Sequence, residues 1–87
     1  MLDKQVESTH QIDFSGLKFP MITVCKSPQD YPGMYVARVW DGLQGPTNMI
    51  VIKQSLEELQ SDILQNTGML FVPRYKEDDP VIVGAWV

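Results

Sequence analysis

The sequence predicts an α+β fold, a five-stranded mixed sheet in the order β-β-β-α-β-β with one helix on one face. Three observations predict it. Residues 49–53 (MIVIK) stay apolar up to their last position, which is typical of a strand buried on both faces. An amphipathic helix with a capped start follows at once, and residues 69–75 (MLFVPRY) then return to strand-like sequence. Because about fifteen residues separate the two strands, a crossover that leaves them parallel is favoured.

Two more strands precede this unit. Residues 19–26 (FPMITVCK) are rich in strand formers, with Pro20 at the start, where a missing N–H is tolerated. The turn formers of residues 27–33 end this strand, and residues 34–40 (MYVARVW) form the second. A longer loop, residues 41–48 (DGLQGPTN), leads to the third strand. The loops are short enough to predict three antiparallel neighbours.

Ser55 marks the start of the helix. It precedes Glu58 by three residues, the spacing of a capping box in which each side chain bonds the other's backbone N–H. The apolar side chains at helical spacing form one stripe: Leu56, Leu59, Ile63 and Leu64. Gly68 is expected to end the helix in the left-handed conformation that glycine adopts without strain.

The last part of the chain predicts a hairpin. Pro73 lacks an N–H and therefore predicts that the fourth strand ends at a sheet edge or a bulge. Residues 76–80 (KEDDP) form the connecting loop, and residues 81–87 (VIVGAWV) the fifth strand. The acidic residues 77–79 lack the ligand spacing of a calcium loop and are interpreted as a solvated tip.

The length of 87 residues predicts a single domain, residues 17–87, preceded by a mobile or loosely docked N-terminal arm, residues 1–16. Cys25 is the single cysteine and His10 the single histidine, so an internal disulfide is excluded and a structural zinc site is disfavoured. We expect no cofactor. Domains of this size are often marginal alone, which leaves oligomerisation as the stabilising device.

The charge and the apolar runs restrict the partners. A net charge of −4 disfavours nucleic-acid binding, which relies on Lys and Arg. The N-terminal sequence lacks the apolar segment of a signal peptide, and no apolar run approaches the roughly twenty residues that cross a bilayer. We expect a soluble, cytoplasmic protein without a membrane partner.

The chain shows no catalytic set. Cys25 lies in a predicted strand, and Lys26, its neighbour, points to the opposite face, so an activated thiol is not indicated. His10 lies in the arm, away from any fixed substrate position. We predict that the protein is not an enzyme. The 41–48 loop lacks the spacing of a phosphate loop, which leaves a turn or a small-molecule binding loop as alternatives.

One helix is too small to cover the predicted sheet. A helix about 10 Å wide covers two or three strands spaced about 4.8 Å apart. The strands carry apolar residues at both alternations, so part of the second face must meet the arm, another subunit or a partner. We predict a homodimer through the sheet face or the edge of the last strand.

The predicted contact residues are Tyr35, Trp40, Val83 and Trp86. For the two tryptophans, core packing and interface packing remain alternatives. Replacing Trp86 by Ala is predicted to weaken self-association by more than about 1 kcal/mol, the usual threshold of a hot spot.

The run ITV, a turn, PGMYVARVW, a Gly/Pro loop and IVIKQSLEEL, within about residues 21–65, resembles the HicB-like antitoxin domain. That domain has a hairpin, a third strand and a helix with a Thr/Ser-x-Glu-Glu start. The resemblance implies a partial RNase-H-like sheet, dimerisation and binding to a small toxin RNase. It does not imply transcriptional autoregulation, because a predicted hairpin stands where the antitoxins have a DNA-binding segment.

The sequence as a whole predicts a non-catalytic interaction module that self-associates and binds another protein, of a kind typical of bacterial proteomes. Two alternatives remain open at this level. One is an antitoxin-like partner of a small toxin RNase, and the other is a small-molecule binder that uses the 41–48 loop.

Overall fold

The computed structural model describes residues 3–76 and 80–87. The elements are β1 Lys4–Val6, β2 Pro20–Lys26, β3 Tyr35–Asp41, β4 Gly45–Lys53, α1 Leu56–Asn66, β5 Phe71–Pro73 and β6 Ile82–Trp86. Two short 3-10 turns, Thr9–Gln11 and Phe14–Gly16, lie between β1 and β2. Residues 77–79, the predicted acidic tip, lie outside the described residues.

The described strands form one six-stranded sheet in the order β1-β4-β3-β2-β6-β5. β1 runs parallel to β4, and every other neighbouring pair is antiparallel. The α+β class is confirmed, but the prediction of five strands is wrong. The additional strand, Lys4–Val6, comes from the N-terminal arm, and three residues are too few to show an alternating pattern.

The crossover predicted around the helix is confirmed by the strand directions. β4 and β5 point the same way, and β3, β2 and β6 lie between them. β2, β3 and β4 are antiparallel neighbours, as their short loops predict. The last strand, β6, has a neighbour on each side, so its edge is not available for pairing with a second copy. That part of the dimer prediction is wrong, and β5 is the edge strand.

The 41–48 loop predicted between the second and third strands is much shorter in the structure. β3 continues to Asp41 and β4 begins at Gly45. The Asp41 carboxylate accepts a hydrogen bond from the Leu43 N–H at 2.9 Å, and Gly45 has a φ of +101°, so the chain reverses within three residues. The proline and threonine that follow belong to β4, where Pro46 lies opposite Trp40.

The main core lies between the sheet and the helix. Its buried members are Ile12, Ile22, Val24, Ala37, Val39, Val51, Leu59, Ile63 and Trp86. In β4, the successive residues Ile50 and Val51 are both fully buried, one on each face of the sheet. The expectation that this strand is buried on both sides is therefore confirmed.

The helix begins at the predicted position and ends differently. The Ser55 hydroxyl accepts a hydrogen bond from the Glu58 N–H at 3.1 Å, which confirms one of the two bonds of the predicted capping box. At the other end, Thr67 is extended with a φ of −132°, and its hydroxyl donates to the Ile63 carbonyl at 2.8 Å. The prediction of a left-handed Gly68 is wrong. The Thr67 hydroxyl already bonds one of the last carbonyl groups of the helix, which a glycine in the left-handed conformation would otherwise help to satisfy.

Candidate functional site

The two flanks of α1 meet different surroundings. Leu59 and Ile63 point to the sheet and are fully buried. Asp62 and Asn66, one turn apart, lie on one side of this buried stripe, here called the arm flank because it contacts the N-terminal arm. The opposite side, here called the open flank, carries four residues at helical spacing: Glu57, Gln60, Ser61 and Leu64.

The arm flank is closed by hydrogen bonds to one carboxylate. Asp62 Oδ1 accepts from the Thr9 N–H at 2.8 Å and from the Thr9 hydroxyl at 2.5 Å. Asp62 Oδ2 accepts from the Ser8 hydroxyl at 2.6 Å. Thr9 is 1% exposed, so its amide depends on this carboxylate, while its hydroxyl also lies 3.2 Å from the backbone carbonyl oxygen of Asp62. The arm is therefore fixed to the helix at residues 8 and 9.

Two opposing effects act on the pKa of the Asp62 carboxyl. Burial raises the pKa, because a charged carboxylate is less favourable away from water. Hydrogen bonds from Ser8 and Thr9, with a smaller contribution from the Lys53 charge, favour the ionised form. The net result is a pKa below the usual value, so the arm flank contains an ionised Asp62 at neutral pH.

The open flank borders a groove of about 350 Å³ between the helix and the end of the sheet. The helix contributes one wall, and Phe71 of β5 and Trp86 of β6 contribute the other side. Leu64, predicted as part of the core stripe, is 65% exposed and lines this groove. That prediction is wrong, because the helix packs mainly on β4 and β3, and no element of the described chain covers β5 and β6 beside Leu64.

The aromatic side of the groove depends on a glycine. Phe71 and Trp86 lie opposite each other on neighbouring strands, with ring centroids 5.4 Å apart. A Cβ at Gly84 would lie 2.6 Å from the Phe71 ring and 2.6 Å from the Val72 carbonyl oxygen. The ring therefore lies over Gly84, in space that any other residue would fill. This packing leaves Phe71 37% exposed beside the groove.

The charge at the open flank is negative. The helix sequence LEELQSDILQN contains Glu57, Glu58 and Asp62 and no Lys or Arg. Glu57 lines the groove, and none of the described residues that line it is basic. The groove therefore combines an apolar centre with an acidic and polar rim.

The outer edge of β5 is a poor template for an added strand. Leu70 and Val87 exchange both backbone hydrogen bonds, at 2.8 and 3.0 Å. Because antiparallel pairs alternate, the backbone groups of Phe71 and Pro73 point away from β6. Pro73 has no N–H, so only one amide of β5 can donate outward. The prediction that Pro73 marks a sheet edge is confirmed.

The second face of the sheet carries an ion pair. Arg38 Nη1 and Nη2 donate to the two Asp3 carboxylate oxygens at 2.9 and 3.1 Å, and the Tyr31 hydroxyl donates to Asp3 Oδ2 at 3.0 Å. The hydrogen bond from Arg38, and then that from Tyr31, lowers the pKa of the Asp3 carboxyl. A shallow pocket of about 320 Å³ lies beside the pair and includes Trp40 and Thr47.

The four predicted contact residues do not share one surface. Tyr35 and Val83 are half-buried against the core on the helix side, and Trp86 is 5% exposed within that core. Trp40 lies on the second face, beside Arg38. Replacing Trp86 would remove core packing, so the predicted Ala substitution cannot isolate an interface. The indole N–H groups of both tryptophans are buried and have no acceptor among the described residues.

The two side chains considered for catalysis, His10 and Cys25, lie in different parts of the structure. His10 is exposed in the arm beside the helix, whereas Cys25 is half-buried on the second face, where alternation with the buried Val24 places it. Within residues 3–76 and 80–87, no group of three or more His, Cys, Asp or Glu side chains has a metal-binding arrangement. The described part of the chain contains no helix with the length and apolarity needed to span a membrane.

Sequence reasoning missed the groove because its residues were assigned to other roles. Leu64 belongs to the apolar helix pattern, and Phe71 to an apolar strand. The helix spacing did indicate that Leu64 is exposed, because it places Leu64 on the same side of the helix as the polar residues Glu57, Gln60 and Ser61.

Comparison of the chain with protein-family models, with curated proteins and with solved structures finds no match. The resemblance to the HicB-like antitoxin domain therefore stays a prediction.

Proposed function

We propose that this chain is a non-catalytic protein-interaction module that binds another protein through the open flank of α1. The observation that supports this proposal is the exposure of Leu64 in a groove that it shares with the aromatic pair Phe71 and Trp86. Fully burying a leucine or phenylalanine side chain contributes about 1.5–3 kcal/mol, so a partner that covers both gains a substantial apolar contact.

The surroundings of Leu64 support binding rather than incidental exposure. Single exposed apolar residues are common on proteins, but here two of them border one concave surface. Polar side chains of Gln60 and Ser61 rim that surface. An apolar centre with a polar rim is the usual anatomy of a protein interface.

The test uses a matched pair of leucines. Leu43, in the turn between β3 and β4, is 70% exposed and lies outside the groove. Proteins captured from the native host by the wild-type chain and by Leu43→Ser, but not by Leu64→Ser, would support the proposal. Equal capture by all three chains would contradict it, and circular dichroism would establish that each variant is folded.

A second candidate function is self-association through the second face of the sheet, and it is compatible with the first. In the described chain that face carries no helix, and the apolar side chains of Met21, Ile52 and Ala85 on it are half-buried. We expect sedimentation at tens of micromolar to show a dimer that Ile52→Glu dissociates. A wild-type chain that sediments only as a monomer would contradict this function.

The remaining alternatives need other observations. An antitoxin-like role requires that the protein captured through Leu64 be a small RNase. A small-molecule site would use the pocket beside Arg38, where Pro46 and Thr47 are the residues of the predicted binding loop. A ligand-induced rise in melting temperature that Thr47→Val abolishes would support that site. Binding to another protein is the proposal we favour, in a soluble cytoplasmic setting.

A further inference from the structure

We propose that the open flank binds a basic amphipathic helix of another protein. This inference rests on the proposed function and deepens it, because it states the shape and charge of the partner. Two independent features carry it: the geometry of the uncovered strands and the charge of the groove.

The geometry favours a helix. The wall formed by Glu57 to Leu64 extends about 10 Å along α1, at about 1.5 Å per residue. Beside it, β6 and β5 lie next to each other at the end of the sheet, and together they are about as wide as one helix. A helix packed against α1 would cover both strands and continue the layer that α1 begins. An added strand is disfavoured, because Pro73 removes an outward donor from the edge.

The charge favours a basic partner. The helix wall contributes Glu57, and α1 has no basic residue to neutralise it. Lys or Arg beside an apolar stripe would pair with this rim while the stripe covers Leu64 and Phe71. A second copy of the chain fits less well, since a twofold contact between two open flanks would bring two acidic helices together.

The experiment uses two synthetic peptides of about 20 residues, a length at which an isolated helix is stable enough to test. Both have the same Leu/Phe face, and the polar face is either Lys-rich or Glu-rich. Fluorescence anisotropy measures their affinity for the whole 87-residue chain and for four variants of it. Leu64→Ser removes the apolar contact, with Leu43→Ser as its control. Glu57→Lys reverses the groove charge, with Glu58→Lys as a control of identical charge change, since Glu58 does not line the groove.

We expect the Lys-rich peptide to bind at least about tenfold more tightly than the Glu-rich peptide, a difference of about 1.4 kcal/mol. Leu64→Ser and Glu57→Lys are each expected to weaken it about tenfold, while the two controls bind like the wild type. Higher salt should weaken the Lys-rich peptide more than the Glu-rich one.

Other outcomes overturn the inference in distinguishable ways. If both peptides bind equally and depend on Leu64, the basic partner is wrong and the groove function stands. If Lys-rich binding is insensitive to Leu64→Ser, the attraction is general charge and the groove site is wrong. If neither peptide binds while Leu64-dependent capture from the host persists, the helical partner is wrong and the interaction function remains. A dimer that Leu64→Ser dissociates would identify a second copy as the occupant instead.

Discussion

The two flanks of α1 differ in what the chain supplies to cover them. On the arm flank, residues 8 and 9 approach the helix and donate three hydrogen bonds to the Asp62 carboxylate. On the open flank, the described residues that face α1 across the groove belong to β5 and β6. One helix spans only part of a six-stranded sheet, so the arm covers one side of α1 and no described residue covers the other.

The chemistry of each flank follows from this difference. The polar side chain of Thr9 can be buried on the arm flank because its hydroxyl donates a hydrogen bond to Asp62 there. An apolar side chain stays exposed on the open flank because nothing in the described chain covers it. The comparison predicts that changes on the arm flank alter stability, whereas changes on the open flank alter binding.

The largest effect is expected from Asp62→Ala. The substitution leaves the buried amide of Thr9 without its acceptor and leaves the Thr9 hydroxyl only the backbone carbonyl of residue 62, at 3.2 Å. This loss costs about 2–3 kcal/mol in the free energy of unfolding. Glu58→Ala, on the same helix, is the control and should stay within about 0.5 kcal/mol of the wild type. Urea unfolding measures both, and equal losses would show that the arm adds nothing at this flank.

Gly84→Ala should have the next largest effect. The added methyl group meets the Phe71 ring and the Val72 carbonyl, so β5 must shift, at a cost of about 1–2 kcal/mol. Because the groove loses its aromatic side, affinity for a partner should fall as well. Gly16→Ala is the control, since a Cβ there meets nothing within 4 Å. A fully stable Gly84→Ala protein would mean that the Phe71 ring moves away without loss.

Stability should fall in acid, and part of the fall should come from the arm flank. The pKa of Asp62 is lower in the folded chain than its usual value of 3.8. Its contribution is therefore present above that value and is lost as the pH falls through the folded pKa. We expect the difference in urea midpoint between the wild type and Asp62→Asn to be smaller near pH 3 than near neutrality. A constant difference would contradict the role of ionised Asp62.

The smallest effect on stability is expected from Leu64→Ala. Since Leu64 is 65% exposed, the free energy of unfolding should change by no more than about 0.5 kcal/mol. A core position would lose about 2–5 kcal/mol on the same substitution. Urea unfolding distinguishes the two values. A loss of about 2 kcal/mol would show that Leu64 is a core residue and that the open flank is not an exposed surface.

Local chemistry made several features of the fold predictable. Ser55 and Glu58 identify the helix start, and the apolar run around Ile50 identifies a strand buried on both faces. Pro73 identifies an edge. Each of these depends on a side chain and its immediate neighbours, so the sequence contains the information.

Other features depend on residues far apart in the chain. Lys4–Val6 is a strand only because β4 offers an edge to it, about 45 residues further along the chain. The end of the helix at Thr67 is, by contrast, local: the Thr67 hydroxyl donates to the Ile63 carbonyl four residues earlier, and this bond competes with a glycine stop. For the candidate site, the sequence predicted that one helix leaves part of the apolar sheet surface uncovered. It did not predict where on the sheet that surface lies.

The sequence by itself determined the helix, the strands after the arm and the excess of apolar surface over what one helix can cover. The tertiary structure decided the position of the uncovered surface, because that depends on which strands lie beneath α1 and which side the arm occupies. Strand order and docking arise from contacts between distant segments. The periodicity of a single element cannot encode them. The helix spacing places Leu64 with the polar residues of α1, but only the strand order shows that β5 and β6 lie beside it.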